Sequence, residues 1–144
     1  MIIMLQTEHY WRTIMEKTEK VSVNMNIGTL SQIDLLVDQG FYSNRSDFIN
    51  QAVRECLNQK QERINEVGNS HDKMNFIWFL GIYNLNAQEL MQIKKNNNTK
   101  TVSGYGLLYI NEVLDDLVLE TISSIDVKGK VVCSDRIREH YHIG

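Results

Sequence analysis

Apolar side chains recur at two different spacings along this chain, and the switch from one to the other marks its elements. In K-V-S-V-N-M, residues 20–25, Val21, Val23 and Met25 alternate with Lys20, Ser22 and Asn24, so in extended backbone the two sets face opposite ways. From Thr29 to Gln39 the spacing turns helical. Leu30, Ile33, Leu36 and Val37 share one side, and Gly40 stands where a left-handed residue closes a helix. A longer stripe follows in Phe48, Ile49, Ala52, Val53, Cys56 and Leu57, with Ser43 or Asn44 as its N-cap and an expected run to about Ile64. The order is one short strand and two amphipathic helices. A lone strand of this kind has no sheet to join, so it calls for a second copy of itself.

The pattern breaks at V-G-N-S-H-D, which places a domain boundary at Gly68 to Asp72. Beyond it, strand-like runs at Met74–Tyr83, Thr101–Ile110 and Ile125–Cys133 alternate with helix-like Ala87–Lys95 and Val113–Ser123. A last short helix is expected over Ser134–His140, capped by Ser134 with Asp135 in its first turn. Such alternation predicts a small sheet covered by helices on one or both faces. G-L-L-Y-I and G-K-V-V-C echo each other, but two instances do not make a repeat architecture. The predicted fold class is α+β, with an N-terminal extension over 1–18, a strand-helix-helix module over 19–67 and a small α/β domain over 72–144. In the extension, Tyr10, Trp11, Ile14 and Met15 cluster at helical spacing. An amphipathic arm, a loosely ordered segment and a native start at Met15 all stay open.

Composition narrows the class. With 144 residues and 42% hydrophobic content, the chain can bury one modest core or two small ones. Two cysteines, Cys56 and Cys133, make no disulfide framework; Cys56, on the apolar stripe, is expected to be a small buried side chain, and the expected compartment is a reducing cytoplasm. M-I-I-M-L is too short for a signal core. The most apolar run, F-I-W-F-L-G-I-Y, stops far short of membrane-spanning length.

Taken together, K-V-S-V-N-M, L-S-Q-I-D-L-L-V-D-Q-G-F and S-N-R-S-D-F-I-N-Q-A-V-R-E-C-L resemble a ribbon-helix-helix DNA-binding module, in the branch of CopG-like and nickel-responsive repressors. The resemblance covers Glu19 to Asn58, and departs at Ile27-Gly28, where such sequences carry a proline-containing turn. It implies a homodimer whose paired strands enter the major groove of double-stranded DNA. Carried over by position, Lys20, Ser22 and Asn24 face the bases. Ser43, Asn44, Arg45 and Ser46, at the start of the second helix, face a phosphate through free N–H groups and the helix dipole. The plainer alternatives are that S-N-R-S merely caps a helix and that a polar strand face is merely solvated.

Charge argues the other way. Residues 1–66 carry seven Lys and Arg against nine Asp and Glu, and the whole chain is −3, whereas nucleic-acid binders ordinarily show a basic footprint. Backbone amides bind phosphate without formal charge, so the balance weakens the reading without excluding it.

Other chemistry is poorly signalled. Cys133, His140 and His142 form a thin transition-metal candidate, set against the plainer reading of a frayed histidine-bearing tail. No phosphate-binding loop, zinc-protease or nucleophile-elbow motif is present, so no enzyme is expected. Asp115 and Asp116 point apart on one helix and are expected on a solvated face. The function read from the sequence is a DNA-binding repressor acting as a dimer, joined into a tetramer or larger assembly through the C-terminal domain. An antitoxin of the same fold, with a toxin-binding tail, and an assembly module without DNA are the alternatives.

Overall fold

A computed structural model describes residues 18–71 and 75–144. The N-terminal arm expected over Tyr10 to Met15 lies outside them, as do Asp72 to Met74. The chain divides into two compact units, Met1–Glu62 and Arg63–Gly144, a division ahead of the Gly68 to Asp72 boundary read from the sequence.

In the first unit, α1 (Ile27–Asp38) starts two residues before its expected beginning, because Asn26 caps it by accepting from the Thr29 N–H at 2.8 Å. At its other end Gly40, with φ +79°, lets the Phe41 N–H reach the Leu36 carbonyl and its own N–H reach that of Val37, each at 3.0 Å. That double closure is a Schellman motif. Helix α2 (Arg45–Gln59) is capped by Asn44. It ends earlier than the run to Ile64 implied: Lys60 leaves helical backbone and its N–H turns to the Leu57 carbonyl, three residues back. A separate helix, α3 (Gln61–His71), then continues through V-G-N-S-H, where the sequence pattern suggested a break. Gly68 is accommodated there because it lies beside a ring, a β-carbon at that position coming within 3.1 Å of Trp78.

The second unit is built on three strands, β1 (Phe76–Asn84), β2 (Lys100–Tyr109) and β3 (Ile122–Val132). They pair in parallel in the order β1-β2-β3. Between them run α4 (Ala87–Lys95) and, after a short 3-10 turn, α5 (Asp115–Thr121); α6 (Asp135–His140) follows β3. This is the alternation the periodicity predicts, with α4 at its expected bounds and the other boundaries shifted by at most three residues.

Parity of burial shows which face the helices cover. Ile77, Phe79, Val102, Leu108 and Val131 point inward to a core with Leu90, Ile93, Val118 and Ile137, whereas Phe76, Leu80, Ile82 and Tyr105 stay exposed on the other face. One face is covered and the other is open.

The partial echo seen in the sequence turns out to have three members. Gly81, Gly106 and Gly129 sit side by side across the sheet, all with positive φ, at 99°, 125° and 149°. Five residues after each comes the N-cap of the next helical turn: Asn86, Asn111 and Ser134. A β-carbon on Gly106 would stand 2.0 Å from the Gly81 carbonyl oxygen, and one on Gly129 the same distance from that of Gly106. At Gly81, on the sheet edge, it would meet nothing.

Asp115 and Asp116 part company. Asp116 is exposed and pairs with Arg136 at 2.7 Å, as a solvated face requires. Asp115 instead is buried, its Oδ2 accepting from the Ser134 hydroxyl at 2.5 Å, because the first turn of α5 faces the N-cap of α6. The expectation of a solvated Asp115 is therefore corrected.

The glycine row predicts an ordered pair of substitutions. Gly81→Ala should lose only the strain of its backbone, about 1–3 kcal/mol. Gly106→Ala should lose roughly 4 kcal/mol or more, since a carbonyl blocks the added carbon as well. Urea denaturation of the full chain, followed by circular dichroism, measures both.

Candidate nucleic-acid interface

Residues 18–26 form neither helix nor strand, are exposed along their length, and have no partner strand among the described residues, so the strand expected over residues 20–25 is not formed here. A strand exists by its ladder, and one chain supplies only one side of it. Val21 and Val23 are 80% and 68% exposed, and Met25 is open too, so the apolar parity of this segment has no core among the described residues. Lys20, Ser22 and Asn24, on the opposite parity, are exposed as well.

The helices repeat the same imbalance. Among the described residues of the first unit only Ile33 is buried. Ile27, Leu35, Phe41, Val53 and Leu57 are all more than half exposed. Cys56 is exposed also, against the expectation of a buried thiol, because the stripe it lies on has no cover among the described residues.

The start of α2 is tightly organised. Asn44 accepts from the Asp47 N–H at 2.9 Å, while Asp47 reaches back to accept from the Ser43 N–H at 3.0 Å, a reciprocal arrangement close to a capping box. The Ser43 N–H first, together with a bond from Gln51, holds the Asp47 carboxyl below its ordinary range. Tyr42 packs edge-on to Phe48 with ring centroids 4.9 Å apart, which fixes the angle at which the chain enters the helix. Ser43 has thus spent its N–H on Asp47. The N–H groups of Arg45 and Ser46, by their position in the first turn, have no partner within the helix.

Arg45 has a second role that the sequence did not reveal. Its Nε and Nη2 donate to the two carboxylate oxygens of Asp34 at 2.6 and 2.7 Å, a bidentate pair eleven residues long in sequence. The pair ties the middle of α1 to the start of α2. Both side chains remain about half exposed, so the bond sets geometry more than it adds stability. Asp34 and Arg45 lie on either side of the turn, at no spacing that a helical pattern would flag.

Of the thin metal candidate, Cys133 is half-buried and its thiol is pushed up by burial. His140 packs edge-on against Tyr141 at 4.7 Å, and His142 is exposed. Among the described residues no three His, Cys, Asp or Glu side chains converge as a metal site would need. No described helix is long and apolar enough to cross a membrane.

A family model described as the ribbon-helix-helix transcriptional regulator family matches residues 16–138. No curated protein and no solved structure matches this chain.

The Asp34 carboxyl is held below its ordinary value of 3.8, first by its bond to Arg45 and then by the guanidinium charge. Its contribution to stability is therefore full above pH 3.8 and is lost as pH falls through the lower folded value. Carboxyl NMR titration should find Asp34 below 3.8, rising toward it in Arg45→Gln.

Proposed function

The chain belongs to the ribbon-helix-helix transcriptional regulator family, and on that premise we propose a sequence-specific repressor that reads DNA as a dimer. Residues 20–25 of two protomers pair antiparallel and lie in the major groove. The observation that carries this reading is the uncovered apolar surface of the first unit, with Val21, Val23, Phe41, Val53 and Leu57 open and, among the described residues, a single buried one, Ile33. Full burial of a Val, Leu or Phe side chain stabilises by about 1.5–3 kcal/mol, so the second copy supplies the core that one copy lacks. Folding of this unit and dimerisation are then one concentration-dependent event.

In that dimer the apolar parity faces the helices, and the other parity faces the bases. Lys20 is suited to guanine O6 and N7, Asn24 to adenine N6 and N7, and Ser22 to either base or thymine. Ser43, Asn44, Arg45 and Ser46 approach a phosphate. The backbone N–H groups of Arg45 and Ser46 bind it, while Asp34 holds the Arg45 guanidinium at the helix start. A dimer so placed represses by occlusion, covering an operator against polymerase. The open sheet face of the second unit, with Leu80 and Tyr105 55% and 54% exposed, joins two dimers into a tetramer.

A second reading is favoured by the acidic balance of residues 1–66: an assembly module in which the same surfaces polymerise and DNA plays no part. An antitoxin with a toxin-binding tail fits less well, since such tails fold on binding and this one forms a three-stranded sheet with its own core.

Selection of bound DNA from a random pool, with light scattering for stoichiometry, tests the proposal. A repressor enriches one motif and shifts in mass with it; an assembly module enriches none. Val53→Asp should dissociate the dimer and abolish DNA binding at concentrations where the parent chain binds. Asn24→Ala should relax preference at one base position by about 1–3 kcal/mol of discrimination. A uniform loss on every sequence would remove Asn24 from the base-reading set.

A further inference from the structure

Strand β3 is an edge of the sheet, and the helix that follows it is too short to cover it. Eleven residues of β3 span roughly 36 Å, whereas the six of α6 span about 9 Å. Helix α6 therefore shields the C-terminal end of the strand, where Val131 is buried, and leaves the inward positions Ile125 and Val127 only half-buried. The result is a cleft of about 350 Å³ along β3, walled on its other side by Arg138, Tyr141 and His142.

Its floor includes Ile125 and Val127 and its wall carries the Arg138 guanidinium, with Asp126 and Lys130 also lining it. Arg138 is half-buried, yet it makes no ion pair among the described residues. Its guanidinium is met only by two backbone carbonyls, Val131 at 3.4 Å and Ile143 at 3.5 Å, at the outer limit of a hydrogen bond. Of the acids on α5, Asp116 pairs with Arg136, and one oxygen of Asp115 accepts from Ser134. Asp126, on the rim, lies 3.6 Å from Lys128 and is well exposed. A partly desolvated guanidinium without a counter-ion is costly, and its donor fork fits a carboxylate with two parallel bonds. Tyr141 is fixed in place, its hydroxyl donating to the Ile122 carbonyl at 2.7 Å, so the wall is formed before any ligand arrives.

We infer that this cleft binds a small organic carboxylate with an apolar body, its acid group on Arg138 and its body over Ile125 and Val127. Inorganic phosphate would satisfy the guanidinium but leave the apolar floor wet. The volume lies at the small end of ligand pockets. The site lies wholly within the second unit and is read on the protein alone, so its failure leaves the DNA-binding proposal standing.

The test is a proton-nitrogen NMR titration of the full chain with isovalerate, hexanoate and 3-phenylpropionate, each beside its neutral amide. At least one acid should shift amides of residues 125–131 and 138–143 with an affinity about tenfold or more above its amide. Arg138→Gln should bring that acid down to the level of the amide, and Arg138→Lys should recover part of the difference. Three results overturn the inference: no acid exceeds its amide up to about 10 mM, the shifts fall on the open face around Leu80 and Tyr105, or Arg138→Gln binds the acid as the parent does. The comparison of acid with amide on the unaltered chain does not depend on any variant folding.

Discussion

The N-terminal unit is governed by a shortage of cover. Its strand segment and two helices present three apolar stripes, and three elements of this length can shield only a small interior, reduced here to Ile33. Surface of that kind is not tolerated in isolation by a soluble chain. The same shortage explains why residues 20–25 form no ladder among the described residues, and why Cys56 is open although it sits on the apolar stripe. Pairing the strands of two protomers answers both needs at once, because it completes the ladder and brings four helices over one side of it.

The C-terminal unit meets the opposite problem, that of stacking identical parallel units closely. Each unit is a strand, a glycine, four residues and an N-cap. At the positive φ the row adopts, the side-chain direction of each glycine turns into the plane of the sheet, toward the carbonyl of the neighbouring strand. Only hydrogen fits there, which is why Gly106 and Gly129, each facing a neighbouring carbonyl, cannot carry a side chain, while an added carbon at Gly81 meets nothing. The final unit is truncated in its helix. An apolar strand edge beside an unpaired Arg138 follows from that truncation.

Much of this was legible in the sequence, for identifiable reasons. Strand β1 and helix α4 announce themselves through long, regular stripes, and α1 and α2 through caps at Gly40 and Asn44. The break at Lys60 was not legible, since Q-E-R-I continues the helical period on both sides of it. Gly68 misled in the other direction, because its tolerance depends on a ring ten residues away that no local pattern reveals. The third glycine of the row was hidden by its setting, F-L-G-I-Y-N, whose aromatic residues disguise the likeness to G-L-L-Y-I-N. Asp115 and Arg45 show the general limit. Their partners, Ser134 and Asp34, are set by how elements pack, and a one-dimensional period carries no record of that.

The acidic balance of the DNA-binding unit bears on how many copies must act together. Near the start of α2, Asp47 is taken up by Ser43 and Gln51, and Asp34 by Arg45. Those acids are thereby fixed in place, and a phosphate is left with two backbone N–H groups and a guanidinium already half neutralised. Each phosphate neutralised by a cation adds about −0.9 to the salt slope, so a unit with few free cations gains little affinity from the DNA backbone. What backbone attraction does not supply must come from base contacts or from linkage. In the proposed repressor, three base-facing residues per strand would be few, but joining two dimers would make the second binding event intramolecular and raise its effective concentration. Under the proposed function, the open sheet face and the weakly charged first unit would then work together: a reader that holds poorly as a single dimer would gain selectivity for operators with two correctly spaced sites.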